Sequence, residues 1–421
     1  MIELVILAVY GLVLYTSAFL FLTLIESDTV KSEVEEPDEW PSLTVAIPAY
    51  NEEDTLAKTI DSVLAADYPR EELQVIVVDD GSSDSTREIG ERYQEEGKIN
   101  FIHQENRGKG GALNTALEAC DTELFACVDA DSSLREHSLK NVVSRMDGET
   151  AAVASAMKVE EPENMLQKIQ MVEYIVNVFS RKLFQMIDSI HVTPGPLSVY
   201  RREAIESIGG FDEDSRVEDQ EICFRLQKQH EKLKTARDGE VYTVAPDNFR
   251  DYYRQRRRWY AGTFETLIKH RDMVFNREYG DFGMFVMPSK VVHPLVSIFG
   301  LFLITYTMLR PVASLLIDVA TLGTDALALG FALTPSAIAN VLKWQLLSVD
   351  YTMLTALTGL AIFSVSMVYL ATVHVEESLK DLGIIPAIIY VFWFFIIVGF
   401  MSLVSIIVVA RNYLTGSELT W

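Results

Sequence analysis

Cysteine is scarce in this 421-residue chain, which has only Cys120, Cys127 and Cys223. They form no CxxC pair and leave an odd count, so a disulfide framework and a cysteine zinc site are excluded and reduced thiols are expected. Positive charge is also short: 36 Lys and Arg face 60 Asp and Glu, for a formal net charge of -24. Nucleic-acid binders draw affinity from clustered Lys and Arg facing phosphates, so no nucleic acid is expected among the partners. The acidic balance reads instead as a well-solvated surface. A basic start is missing too, because only Glu3 is charged before the first apolar run, and this speaks against a cleaved secretory signal.

Apolar residues are not scarce but clustered. A mean hydropathy of +0.15 with 23% charged residues is too apolar for one soluble domain, and points to a soluble domain plus a membrane portion. Leu4 to Ile25 carries no charge over about the 20 residues that span a bilayer, so 1–27 is expected to be an uncleaved anchor. A polar, acidic linker (28–40) follows. Late in the chain, Val291 to Leu309, Tyr351 to Val373 and Leu382 to Ala410 lack Asp, Glu, Lys and Arg, and each is expected to span. Ala326 to Leu342 is shorter and holds Pro335 and Asn340, so a fourth late span, a re-entrant piece and an external helix all stay open. The C-terminal region, 291–421, thus has three expected spans or four, preceded by an interfacial segment at 263–290. Arg250, Arg254, Arg256, Arg257, Arg258, Lys269, Arg271, Arg277 and Lys290 precede the Val291 run, which by the positive-inside bias faces this side to the cytoplasm. The expectation is a multi-pass cell-membrane protein with a cytoplasmic catalytic domain and the lipid bilayer as a partner.

Between the linker and residue 262, short apolar runs alternate with helical patterns. Strands are expected at Leu43 to Ile47, Leu73 to Val78, Phe101 and Ile102, and Leu124 to Val128. Helices are expected at Asp54 to Ala65, Ser85 to about Glu95, Gly111 to Cys120 and Met165 to Leu183. Such alternation indicates βαβ units and an α/β domain with a mainly parallel sheet covered by helices, whose ligands bind at the carboxyl ends of the strands. Polar residues collect at those ends: Ala49, Tyr50 and Glu52 after the first strand, Asp79 and Asp80 after the second, Asp129 and Asp131 after the fourth. One acidic strand end is most often a turn or helix cap. Three on one edge favour a shared site.

The chemistry of these groups can be read singly. Asp129 and Asp131 form a DxD that could present oxygens to a hard divalent cation, Mg2+ or Mn2+, completed by substrate phosphates. Asp79 or Asp80 could accept from a pyrimidine N–H, and Lys109, among glycines ahead of a helix, suits phosphate contact. Thr193 to Leu197, with Gly195 and Pro196, reads as a tight, rigid loop. Glu218 and Asp219 precede Gln255, Arg256, Arg257, Arg258 and Trp259, so a carboxylate that could take a proton and a cationic aromatic cluster that could hold a diphosphate lie in one segment.

The ordered set PAYNEE, VVDDGSSD, VDADS, PGPLSVYR, VEDQE and QRRRW, from about Leu43 to Trp259 and between membrane segments, resembles the membrane-integrated inverting family 2 glycosyltransferases of the cellulose, chitin and hyaluronan synthase type. The resemblance implies a GT-A fold at 41–262 and transfer from a nucleoside diphosphate sugar, expected to be a UDP-sugar, to a growing polysaccharide with coupled export. It also implies roles. Asp79 and Asp80 with Ala49, Tyr50 and Glu52 would bind the nucleoside, and Asp129 and Asp131 the nucleotide and metal. Gly195 and Pro196 would lie near the acceptor sugar, and Asp219, beside Glu218, would be the general base. Gln255, Arg258 and Trp259 form the QxxRW motif near the diphosphate and acceptor. Members often carry Thr before the acidic pair, where this chain has Val217. The alternatives are transfer of one sugar to a lipid phosphate carrier, which makes the acceptor carbohydrate or lipid-linked, and a silent nucleotide-sugar-binding membrane protein.

Overall fold

The computed structural model describes residues 36–322, 351–377 and 382–415, with Gly11 and Phe19. Apart from those two residues the expected N-terminal anchor lies outside the described residues, and so does Ala326 to Leu342.

The first half alternates as its sequence pattern requires. Leu43–Ala49 (β1) leads to Leu56–Leu64 (α1), Leu73–Asp79 (β2), Thr86–Glu95 (α2), Asn100–His103 (β3), Gly108–Glu118 (α3) and Leu124–Cys127 (β4). Ser132–Leu134 (β5), Ser138–Val143 (α4), Thr150–Val159 (β6), Met165–Gln185 (α5), Ser198–Arg201 (β7), Arg202–Ser207 (α6), Glu218–Lys228 (α7), Lys232–Thr243 (β8) and Phe249–Lys269 (α8) follow. One eight-stranded sheet has the order β3-β2-β1-β4-β7-β6-β8-β5. The first four strands are parallel; β7 runs antiparallel to both β4 and β6, β8 is parallel to β6, and β5 is antiparallel to β8. The parallel half matches the expectation, and the sheet as a whole is mixed.

Strand alternation divides the apolar side chains between two cores. Leu43, Val45 and Ile47 pack with Val75 and Val77 under α1 and α5, whereas Ala46, Ile76 and Val78 pack with α3 and α7 on the other face. Helix α1 shows why such segments fold as they do: Leu56, Thr59, Ile60 and Val63 are buried at helical spacing, a single stripe facing the sheet. Helix α5 begins with a capping box, in which Asn164 accepts from the Gln167 amide at 2.9 Å and the Gln167 side chain reaches back to the Asn164 amide.

Three long helices follow: Met287–Leu322 (α9), Tyr351–His374 (α10) and Ile384–Thr415 (α11). Their contacts run through α5 and α8, with α10 and α11 against α5 and α11 along α8. Phe179 meets His374 at 5.5 Å and Tyr253 meets Phe400 at 6.5 Å. Lys158, buried on β6, pairs with Glu240 at 2.5 Å and Glu377 at 2.7 Å, which ties the sheet to the segment between α10 and α11. Among the described residues two segments are long and apolar enough to cross a bilayer, Phe282–Tyr306 and Ile396–Thr415. They overlap the first and third expected spans. The second, Tyr351 to Val373, falls on the 24-residue helix α10, within which Ala361–His374 is an apolar stretch.

Candidate active site

The carboxyl ends of β1, β2, β3 and β4 share one edge, and register places Ala49 beside Asp79 and Asp79 beside His103. Asp79 is fully buried, and both its oxygens are engaged. Oδ1 accepts from the Ser82 amide at 3.1 Å and Oδ2 lies 2.6 Å from His103 Nδ1. Asp80 Oδ1 accepts from Gln104 Nε2 at 2.7 Å and from the Arg107 amide at 2.8 Å. Among the described residues nothing donates to Asp80 Oδ2, so Asp80 is the one of the pair with an oxygen left for a nucleobase N–H. The loops after β1 and β2 are stitched together: the Asn51 amide donates to Ser82 Oγ at 2.9 Å, the Ser83 amide to Asn51 Oδ1 at 2.8 Å, and the Glu52 amide to Thr86 Oγ1 at 2.7 Å. Gly81 makes this turn possible, since its φ of +79° is left-handed and a Cβ would meet Asn106 N at 3.0 Å. Tyr50 stands exposed at the rim above buried Ala49.

The second half of the site is a knot of charge drawn from three elements. Lys109, in the first turn of α3, places Nζ 2.7 Å from Asp129 Oδ1, beyond β4, and 2.7 Å from Glu218 Oε1, at the start of α7. Burial opposes the ammonium charge, but Asp129, Glu218 and Asp219 outweigh it and hold Lys109 protonated. Gly195 closes the knot from the loop before β7: a Cβ there would sit 2.5 Å from Lys109 Nζ and 2.6 Å from Asp129 Oδ2. Only glycine leaves these groups in place, and Pro196 beside it is buried. The same loop holds α7, because the Thr193 hydroxyl donates to the Asp219 carbonyl at 3.1 Å.

Asp131 and Asp219 are the strained carboxyls. Burial, then the charges of Asp129 and Glu52, push Asp131 up to about 7. Burial, then Glu218, push Asp219 up to about 7 against the pull of Lys109 and Arg258. Asp219 lies in the first turn of α7, where the helix dipole favours a carboxylate, and burial together with the crowding of negative charge overrides that preference. Burial also raises Glu52, despite the hydroxyl of Thr55.

Helix α8 carries Gln255, Arg258 and Trp259. Gln255 Oε1 is buried with no donor, and Arg258 is exposed and makes no ion pair among the described residues, though its charge reaches Asp219. Arg256 does something else: it is buried, pairs with Glu173 of α5 at 2.8 Å, and lies 4.3 Å over the Trp259 ring. One face of Trp259 is thereby taken, and a sugar ring would have the other. Of the arginine cluster, Arg256 therefore fixes α8 to α5. Glu173→Ala should strand that buried guanidinium and cost about 3–5 kcal/mol. The measurement is the unfolding midpoint of the detergent-purified chain, and an unchanged midpoint would remove this pair from the supports of the fold.

Of the residues singled out from the sequence, Ala49, Tyr50, Glu52, Asp79, Asp80, Asp129 and Asp131 lie at or just beyond the ends of β1, β2 and β4, Lys109 on α3, Gly195 and Pro196 in the loop before β7, Glu218 and Asp219 on α7, and Gln255, Arg258 and Trp259 on α8. His103, Gln104, Asn51 and Thr193 were not singled out. The rule that read the other strand ends would have found the first two, had it been applied to the short strand ending in IHQEN.

A parallel half-sheet with a polar rim, a strand-end carboxylate pair and a helix-borne acid is the architecture of a GT-A-type α/β domain. Residues 44–209 match the family described as Glycosyl transferase family 2. The chain is 26% identical over 266 residues to a poly-beta-1,6-N-acetyl-D-glucosamine synthase of Staphylococcus aureus, covering 62% of this chain. It is 27% identical over 244 residues to that of Staphylococcus epidermidis, covering 57% of this chain. The matches span 64% and 58% of those relatives' lengths. Among solved structures, a mannosyltransferase from Pyrobaculum calidifontis, in complex with GDP-Man and Mn2+, shares the fold at a TM-score of 0.52 and 21% identity, over 88% of this chain and 98% of that one.

Proposed function

We propose that the chain transfers a sugar from a nucleoside diphosphate sugar, a UDP-sugar, to the hydroxyl of a growing polysaccharide, with inversion at the anomeric carbon. The observation that carries this reading is the meeting of Lys109, Asp129 and Glu218 within 2.7 Å contacts, with Asp219 one residue away on α7. The nucleoside lies over Ala49 and Tyr50, with Asp80 Oδ2 accepting from the base, and the diphosphate lies toward Lys109 and Arg258. Asp219 takes the proton of the acceptor hydroxyl as its oxygen attacks the anomeric carbon, and the bond from that carbon to the diphosphate breaks. One displacement inverts the configuration, and no covalent intermediate forms. Arg258 stabilises charge growing on the leaving group, and Gln255 Oε1, buried without a donor, accepts from an acceptor hydroxyl.

Asp129 and Asp131 fit a divalent cation. Their donors are all oxygen, and among the described residues Lys109 is the cation whose charge acts against their crowding. Two carboxylates completed by substrate phosphates is the usual provision for Mg2+ or Mn2+, which would neutralise the departing diphosphate.

The names of the staphylococcal relatives support a polymer product; that it is made processively and exported past the apolar helices, with the catalytic domain on the cytoplasmic side, is part of the same proposal. The test is diphosphate release by the detergent-purified chain across UDP- and GDP-sugars with Mg2+ or Mn2+, followed by sizing of the product. Because the base must be ionised, the rate should rise with pH through about 7, the value to which Asp219 is pushed up. A rate flat from pH 5 to 8 would reject Asp219 as the group that takes the proton, and one sugar per lipid would overturn the polymer.

A further inference from the structure

Arg181, His191 and Lys290 form a group of basic side chains that the transfer chemistry does not use. Arg181, on α5, is 4% exposed; its Nη2 donates to the Ser155 carbonyl at 3.0 Å, and its Nε has no partner. Phe184, one turn further along α5, meets the His191 ring edge-on at 4.8 Å, and His191 Nδ1 is buried without a partner. Ile190 packs with Val286 and Met287 at the foot of α9, one turn before Lys290. His191 lies within reach of the charges of both Lys290 and Arg181, which with burial keep it neutral.

In a chain with 60 acidic residues, these cations lack a counter-charge of their own. Among the described residues, Asp219 is the one carboxylate whose charge acts on Arg181, and none acts on Lys290. A buried cation is stable only when paired or hydrogen-bonded, so an uncompensated group is built for an anion that arrives with a ligand. Two features say which anion. The group adjoins Asp219, the residue proposed to take the proton of the acceptor hydroxyl. It also opens at partly exposed Lys290 onto α9, where Val291, Leu295 and Phe302 present an apolar strip.

We infer that Arg181, His191 and Lys290 bind the phosphate of a lipid-linked acceptor, whose hydrocarbon lies along α9 while its glycan end reaches Asp219. This rests on the proposed transfer reaction and names its acceptor class. Guanidinium presents a planar fork to phosphate oxygens, the ammonium adds a point charge, and neutral imidazole can donate one further hydrogen bond.

Equilibrium binding to the full chain in a non-ionic detergent tests the inference, with a polyprenyl monophosphate, the uncharged polyprenol and phosphatidic acid as probes. The monophosphate should bind and the alcohol should not. Lys290→Gln and Arg181→Gln should each weaken binding by about tenfold or more, Arg181→Lys should restore part of the loss, and nucleotide binding to Lys290→Gln should be unchanged. Equal affinity for the alcohol, or undiminished binding by Lys290→Gln, would overturn the site. Phosphatidic acid binding as tightly as the polyprenyl phosphate would give the site to bilayer headgroups and overturn the acceptor. Binding is read without turnover, so a failure of the transfer reaction itself would appear separately, as absent diphosphate release with every nucleotide sugar.

Discussion

Asp219→Asn should lower turnover by about 10²–10⁴-fold, the contribution of a positioned general base, while nucleotide affinity stays close to that of the parent chain. The split follows from where Asp219 lies. The Lys109, Asp129 and Glu218 contacts, proposed to face the diphosphate, do not pass through its carboxyl, and the Thr193 hydrogen bond is to its backbone carbonyl. Asparagine therefore keeps the shape of the site and the start of α7, and removes only the oxygen that can take a proton. The same variant should gain stability. A carboxyl raised to about 7 in the fold holds its proton where the unfolded chain, near 3.8, has released it. The folded state thus binds more protons between about pH 4 and 7, and stability falls as pH rises through that window. Asparagine removes this liability, so its unfolding midpoint at neutral pH should be higher. Near-parental turnover, or a loss of nucleotide binding that matches the loss of rate, would each remove the base role from Asp219.

The parallel half of the sheet was legible because each strand is a short apolar run ended by polar residues, and each covering helix shows a single apolar stripe, as Leu56, Ile60 and Val63 do. The far half was not. β8 reads KLKTARDGEVYT, and its charges and Gly239 hide a strand whose pairing partner lies about seventy positions or more earlier in the chain. Helix α3 starts three residues before its expected position because Gly110 and Gly111 are glycines for closeness rather than flexibility. A Cβ on Gly110 would lie 2.7 Å from the Asp212 carbonyl oxygen, and such a packing demand has no local signature. The site shows the same division. Its carboxylates could be placed at strand ends by pattern, but the bridge made by Lys109 and the fit of Gly195 against it depend on segments far apart in sequence. The arginine cluster likewise looked uniform, and only the burial of Glu173 opposite it separates Arg256, which holds α8 in place, from exposed Arg258.

Asp131→Ala is expected to act on binding where Asp219→Asn acts on rate. Asp131 shares its pocket with Asp129 and Glu52, and burial together with those two charges pushes it up to about 7. Such crowding is costly in the free protein and would be relieved by the positive charge of a divalent cation. With Asp131 gone, one of the two carboxylates proposed to hold the cation is lost, so metal-dependent nucleotide affinity should fall at least about 100-fold, beyond the cost of losing an outer-shell partner. Metal-independent affinity should change little, since Asp80, Tyr50 and Lys109 lie elsewhere on the edge. Removing a raised carboxyl should also stabilise the free chain at neutral pH, by the linkage that applies to Asp219. Binding titrations of the nucleoside diphosphate with Mn2+ and with a chelator separate these effects. If parent and variant bound equally well in both, the DxD would be a turn at the end of β4 and the cation would have no place in the site.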